Sequence, residues 1–309
     1  DLPYFNILDG NKIIFKEGAH NINKNLVIPV GFSVFINENT KINLLNKSSI
    51  ISYSPLYLLG SQEYPITVAS SDSTGQGIFV VNAQDTSVLN FTNFYNLSNP
   101  YKSGWGLTGA ITFYKSDVEI NSCLFSGNLS GDDYLNIVNS NFLINKTKFF
   151  NVNADAFDSD FSNGNISSSQ FTNCGNDGLD ISGSKIKAYN LIMDEIGDKG
   201  ISAGENSQLK ISEFKISNSA IGMCSKDLSN ITGNNISIDN AQIGLTAFQK
   251  KPEYGPGRIT CNSIVIQDAE LPYLIEKESS CIIDLVSINN TYKKVEDILY
   301  GVEYGKASN

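Results

Sequence analysis

From Asp133 to Lys251, apolar and polar positions alternate in short rows that return every 22 residues. The rows read Asp133-Tyr-Leu-Asn-Ile-Val, Asp155-Ala-Phe-Asp-Ser-Asp, Asp177-Gly-Leu-Asp-Ile-Ser, Lys199-Gly-Ile-Ser-Ala-Gly, Ile221-Gly-Met-Cys-Ser-Lys and Ile243-Gly-Leu-Thr-Ala-Phe. Leu135, Phe157, Leu179, Ile201, Met223 and Leu245 make one apolar column. Two residues on, Ile137, Ser159, Ile181, Ala203, Ser225 and Ala247 make a second column of apolar or small residues. Alternation with period two is the mark of a half-buried strand. The residues between are therefore expected to point outward: Asn136, Asp158, Asp180, Ser202, Cys224 and Thr246, then Val138, Asp160, Ser182, Gly204, Lys226 and Phe248. A column of Ala156, Gly178, Gly200, Gly222 and Gly244 marks a bend with little room or a positive φ. Asn151, Asn173, Asn218 and Asn240 recur before the next coil and predict a stacked amide ladder.

A fixed period of this length, short strands, Gly/Asn turns and no 3.6-residue periodicity predict an all-β, right-handed, single-stranded parallel β-helix. A leucine-rich repeat is the nearest rival, and its fixed leucine frame is absent. Gly109-Ala-Ile-Thr-Phe-Tyr fits one more row, and Ala19–Gly60 reads as shorter coils. The solenoid is expected to have roughly ten to twelve coils and a length of about 50–60 Å. Residues 1–290 are assigned to it and residues 291–309 to a C-terminal cap or tail, which would cover the last coil. Asn96–Thr108 and Lys250–Gly257 are too long or too Pro/Gly-rich for plain turns and read as protruding loops.

Composition narrows the partners. The net charge is −10, which argues against a nucleic-acid backbone. No run of 18 apolar residues exists, so no membrane span is expected. The chain begins at Asp1 without a visible signal peptide, and reads as a mature protein or an excised segment. Five cysteines allow at most two bridges. Cys261 and Cys281 lie about one coil apart, within disulfide reach, and buried free thiols are the competing reading.

Charge falls in only a few columns. Asp133, Asp155 and Asp177 stack in one, Asp158 and Asp180 in another, with Asp160 and Asp132 nearby. Stacked carboxylates repel, so a raised pKa, a bridging divalent cation or covering lysines must offset them. Lys199 takes the next place in the first column, and Lys226 lies one coil further on. The bland reading is that each Asp caps local amides and repeats because the coil repeats. Against it, the acids occupy two or three adjacent coils and then give way to lysines. Tyr101, Trp105, Lys250, Lys251 and Tyr254 are candidate sugar-binding residues, and Asp158, Asp180 and Glu205 candidate ligands for Ca²⁺. The lone histidine, His20, lies far from these rows.

The Gly-Ile/Leu rows with Asn-rich turns resemble the right-handed parallel β-helix superfamily that includes pectate lyases and polygalacturonases. The stretches SKDLS (225–229) and QKKPEYG (249–255) also resemble β-helix segments of larger secreted bacterial proteins. Polygalacturonase-like rows carry Asn-Thr-Asp-Gly, Asp-Asp, Gly-His-Gly and Arg-x-Lys on successive coils. Here Asn153-Ala-Asp155-Ala, Gly175-Asn-Asp177-Gly and Gly197-Asp-Lys199-Gly resemble the first three, and Lys226 stands for the last lysine. Asn176 replaces a paired acid, Lys199 replaces the histidine, and no arginine precedes Lys226. The β-helix lyases imply a second arrangement, in which Lys199 or Lys226 removes a proton and Ca²⁺ acidifies it.

The resulting expectation is a monomeric extracellular, cell-surface or periplasmic protein that recognises a neutral or acidic polysaccharide. In its catalytic version it is a polysaccharide lyase or glycoside hydrolase using Asp155, Asp177, Asp180, Lys199 and Lys226. No cofactor is required, and Ca²⁺ is the natural ion for the acids. The alternative is a non-catalytic structural or interaction solenoid within a larger surface protein.

Overall fold

Residues with a positive φ mark three corners in each of the central coils. In successive coils these are Asn139, Lys146 and Asn151, then Phe161, Ser168 and Asn173, each repeating 22 residues on. Between corners the chain is extended, so every coil presents three short strands. Residues 3–301 are described by the computed structural model; residues 1–2 of the expected solenoid and 302–309 of the expected tail lie outside the described residues. Corresponding strands pair in parallel and in register from coil to coil, giving a right-handed β-helix of about 12 turns.

The first sheet carries the rows. Leu135 pairs with Phe157, Phe157 with Leu179, Leu179 with Ile201, Ile201 with Met223 and Met223 with Leu245. All of these side chains are buried inside the coil. The third sheet adds a stack of phenylalanines, with ring centroids of Phe94 and Phe125, Phe125 and Phe149, and Phe149 and Phe171 4.8–4.9 Å apart. Offset aromatic stacking of this kind adds to area burial.

Two polar ladders secure the corners. The expected amide ladder is present: Asn173 Nδ2 donates to Asn151 Oδ1 at 2.8 Å, and Asn240 Nδ2 to Asn218 Oδ1 at 2.6 Å. A buried serine ladder turns the first sheet into the second. The N–H groups of Ser140, Ser162, Ser184 and Ser207 donate to Ser162, Ser184, Ser207 and Ser229 Oγ respectively. Small room explains the glycine column. A Cβ on Gly222 would lie 2.6 Å from the Gly244 carbonyl, so the coils approach too closely there for a side chain.

Both ends are closed by antiparallel strands, Phe5–Leu8 on Lys12–Phe15 and Val286–Ser287 on Ser280–Ile283. Among the described residues that follow, the chain folds back over the outer face of the first sheet and forms a short helix, α1 (Val295–Leu299). Val295 and Leu299 pack there against Ile221, Cys224, Ile243, Phe248 and Leu274. All five cysteines are free and buried. Cys261 pairs across from Ile283 and Cys281 from Ile259, so the two thiols are out of register for a bridge between facing residues.

Candidate active site

Three columns of the first sheet face outward. One holds Asp133, Asp155, Asp177, Lys199, Ile221 and Ile243, the second Asn136, Asp158, Asp180, Ser202, Cys224 and Thr246, and the third Val138, Asp160, Ser182, Gly204, Lys226 and Phe248. Along the solenoid axis the face is thus acidic, then basic, then apolar. The two latter columns point outward as expected and are nevertheless largely covered. Asn136, Ser202, Cys224, Thr246 and Phe248 are buried, and Asp158, Asp160, Asp180 and Lys226 are half-buried. Helix α1 covers the apolar end, and the acids crowd together at the other.

Two acids of the first column, Asp155 and Asp177, cap the backbone of the next coil. Asp155 Oδ1 accepts the Asp177 N–H at 2.7 Å and Asn176 Nδ2 at 2.5 Å. Asp177 Oδ1 accepts the Lys199 N–H at 2.9 Å. Asn136 Nδ2 lies 3.1 Å from Asp133 Oδ2, 3.1 Å from Asp158 Oδ2 and 3.3 Å from Asp160 Oδ2, so one amide serves three carboxylates. Asp180 Oδ1 and Asn136 Oδ1 are buried without a hydrogen-bond partner among the described residues. One oxygen from each of Asp155, Asp177 and Asp180 lies within 4.8 Å of the other two.

Burial and crowding hold protons on this cluster. Burial, reinforced by the Asp177 charge, pushes the Asp155 carboxyl up to about 8. Burial pushes Asp133 up to about 7 against a hydrogen bond from the Thr108 side chain. Asp177 rises only to about 6, because burial is opposed there by the Lys199 ammonium. Asp158 and Asp160 are also raised, by burial first and by neighbouring carboxylates.

The lysines are locked in the charged form. Lys199 Nζ lies 2.6 Å from Asp198 Oδ2 and 3.4 Å from Asp177 Oδ1. Burial disfavours its ammonium, yet the two carboxylates more than offset this and raise its pKa. Lys226 Nζ donates to Ser202 Oγ at 2.9 Å, and burial is again outweighed, here by Asp180. Its stem passes over Gly204, where a Cβ would lie 2.9 Å from Lys226 Cε. A proton-abstracting lysine needs the opposite shift.

The structure brings Asp155, Asp177, Asp180, Lys199 and Lys226 to one stretch of the face. Asp158 stands beside them and outside the closest trio. Glu205 is separate, held in an ion pair with the Lys251 ammonium. The N–H groups of Lys250 and Lys251 both donate to Asp227 Oδ1 at 2.7 Å, which ties down the loop that carries Tyr254. Lys250 Nζ sits 4.9 Å from the Tyr300 ring centroid, beside the end of α1. Trp105 and Tyr101 lie at the other end, on a two-stranded hairpin, with Trp105 49% and Tyr101 59% exposed. The Trp105 ring is 6.3 Å from Phe79, and Phe79 leads through Thr112 to Asn136 in the second column. Asn136, Asp198 and Ser202 were not singled out from the sequence, although Asn136 and Ser202 occupy the column of Asp158 and Asp180.

No protein-family model matches this chain. No curated protein matches it either. Among solved structures it is similar to the periplasmic alginate epimerase AlgG, at 10% identity and TM-score 0.49, covering 88% of this chain and 84% of that one. It is also similar to the catalytic domain of a GH87 alpha-1,3-glucanase in complex with tetrasaccharides, at 10% identity and TM-score 0.48 over 88% of this chain and 63% of that one. An alginate lyase from Paenibacillus sp. str. FPU-7 is similar at 10% identity and TM-score 0.41, over 81% of this chain and 92% of that one. Among the described residues, no helix is long and apolar enough to cross a membrane.

Proposed function

We propose that the outer face between Trp105 and Lys226 binds an extracellular polysaccharide and hydrolyses its glycosidic bonds. The observation that carries this reading is the trio of Asp155, Asp177 and Asp180 within 4.8 Å, with Asp155 held protonated at neutral pH. Glycoside hydrolysis needs one carboxyl that donates a proton to the leaving oxygen and a second that acts on the other side of the bond. Asp155 is the donor in this reading, and Asp180 the partner, since one of its buried oxygens has no hydrogen bond to give up. The short separation suits direct attack at the sugar carbon better than insertion of a water, which takes roughly 6.5–9.5 Å between carboxyls. Lys199 and Lys226, both held charged, clamp substrate oxygens rather than remove protons, which favours hydrolysis over β-elimination. Tyr101 and Trp105 offer ring faces to sugars at the entry of the face.

A cation is the second reading of the same trio. Three carboxylate oxygens this close are suitable ligands for Ca²⁺, which would relieve their repulsion. Reducing-end release from a panel of neutral and acidic polysaccharides, with Ca²⁺ and with chelator, tests both readings. Asp155→Asn is expected to lower hydrolysis about 10²–10⁴-fold, the range for losing a general acid. Activity unaffected by Asp155→Asn refutes the assignment. Binding without turnover makes the face a recognition surface, and activity only with Ca²⁺ selects the cation reading.

A further inference from the structure

The second sheet carries a different face, turned away from the acids by the serine corner. Its outward columns follow directly from the register. Asn163 pairs with Lys185, Asn165 with Lys187 and Ser167 with Tyr189. On the next coil Gln208 follows Lys185, Lys210 follows Lys187 and Ser212 follows Tyr189. Lys185, Lys187 and Lys210 are all exposed, and none has a carboxylate within ion-pair distance among the described residues. Arg258 extends the first of these columns two coils further.

This face is grooved. One hollow of about 590 Å³ is lined by Asn163, Lys185 and Gln208, a second of about 490 Å³ by Tyr189 and Thr232, and both share Asn165, Lys187 and Lys210. Facing residues on adjacent coils stand about 4.8 Å apart, and alternate residues along a strand about 6.6 Å apart. Three ammonium groups at such spacings repel each other and are left without a counter-charge in a chain of net charge −10. Amide and hydroxyl groups flank them, and the Tyr189 ring, 55% exposed, borders one edge. At the opposite end the Asp117 carboxylate is already engaged by the Asn141 N–H at 2.7 Å, and Glu119 on the neighbouring strand closes the basic stretch with negative charge.

We infer that this second groove is a separate binding site for a polysaccharide bearing carboxylates at regular intervals. Lys185, Lys187 and Lys210 take the carboxylates, Asn163, Asn165 and Gln208 take hydroxyls, and Tyr189 stacks on a sugar face. A nucleic acid fits less well, because the basic patch is small and the rest of the molecule repels phosphate. The site does not depend on the acidic face for its chemistry or its geometry.

Calorimetric titration of the full chain with an oligogalacturonate tests it, with a neutral cello-oligosaccharide and a single-stranded oligonucleotide as comparators. The uronate is expected to bind and to weaken as salt rises. Lys187→Gln/Lys210→Gln is expected to weaken it at least about tenfold with the melting temperature unchanged, as suits exposed positions. Asp155→Asn is expected to leave this binding intact, which separates it from the fate of the acidic face. The inference is overturned if the double variant binds within about twofold of the original chain, or if the uronate does not bind. It is also overturned if the neutral sugar binds as tightly or the oligonucleotide more tightly, or if only Asp155→Asn abolishes binding.

Discussion

Asp155 has to serve two neighbours at once. Its Oδ1 caps the Asp177 N–H, which the next coil needs, while the Asp177 carboxylate disfavours its charge. The protonated form satisfies both, and this has a consequence for stability. A carboxyl whose pKa is higher folded than unfolded binds more protons in the native state between the two values. Asp155, at about 8 against an ordinary value of 3.8, therefore weakens the fold as pH rises from about 4 to about 8. Asp133 and Asp177 act in the same direction over narrower windows that end near 7 and 6. Denaturant melts at pH 5 and pH 8 should show the protein more stable at pH 5, by about 1.4 kcal/mol for each pH unit of that interval in which such a group is protonated only in the folded chain. Asp158→Asn should reduce that pH dependence, since it removes one of the carboxyls whose pKa is raised on folding. A stability that rises toward pH 8 would contradict the protonated cluster.

At the scale of elements, the rows were readable because inward and outward positions differ in chemistry at every second residue. Leu135, Phe157 and Leu179 face inward as their spacing requires. What lies over an outward residue is another matter, because alternation gives direction and says nothing of cover. Cys224 and Phe248 point outward and are still buried, since a segment far along the chain comes back over them. Their apolar character, with Ile221 and Ile243 beside them, was the available signal of a covering element. The acid-to-lysine break was readable from columns alone. The ion pair of Lys199 with Asp198, and the amide of Asn136 shared by three acids, depend on side-chain reach that column position does not specify. The helical cover makes a further prediction. Burial pushes the Cys224 thiol up to about 12, so it is inert while α1 is seated. Leu299→Asp should unseat α1 and make one thiol react with Ellman's reagent under native conditions, with little change in solenoid melting. Cys123, Cys174, Cys261 and Cys281 lie in the coil core and serve as internal controls. An unchanged labelling rate would show that α1 is not what shields this face.

At the scale of the molecule, stacked coils make every long feature a line parallel to the axis. The exposed rings of the hairpin, the acids, the lysines and the helix follow one another along the outer face of the first sheet. The basic groove runs along a second line on another side. Such a body presents rails rather than a central pocket, which suits extended ligands of repeating chemistry. The helix also gives the first rail a direction. From the coil of Lys226 onward the outer residues pack under Val295 and Leu299, while the Trp105 end has no such cover among the packed residues of α1. If the proposed function holds, a sugar chain on this rail would meet a wall a fixed number of rungs past the acids. Cutting at Asp155 and Asp180 would then measure from a chain end, like a stop on a ruler, and release short products of one size. Mass spectra of early products should show a single dominant oligomer, and Leu299→Asp should broaden it into a ladder.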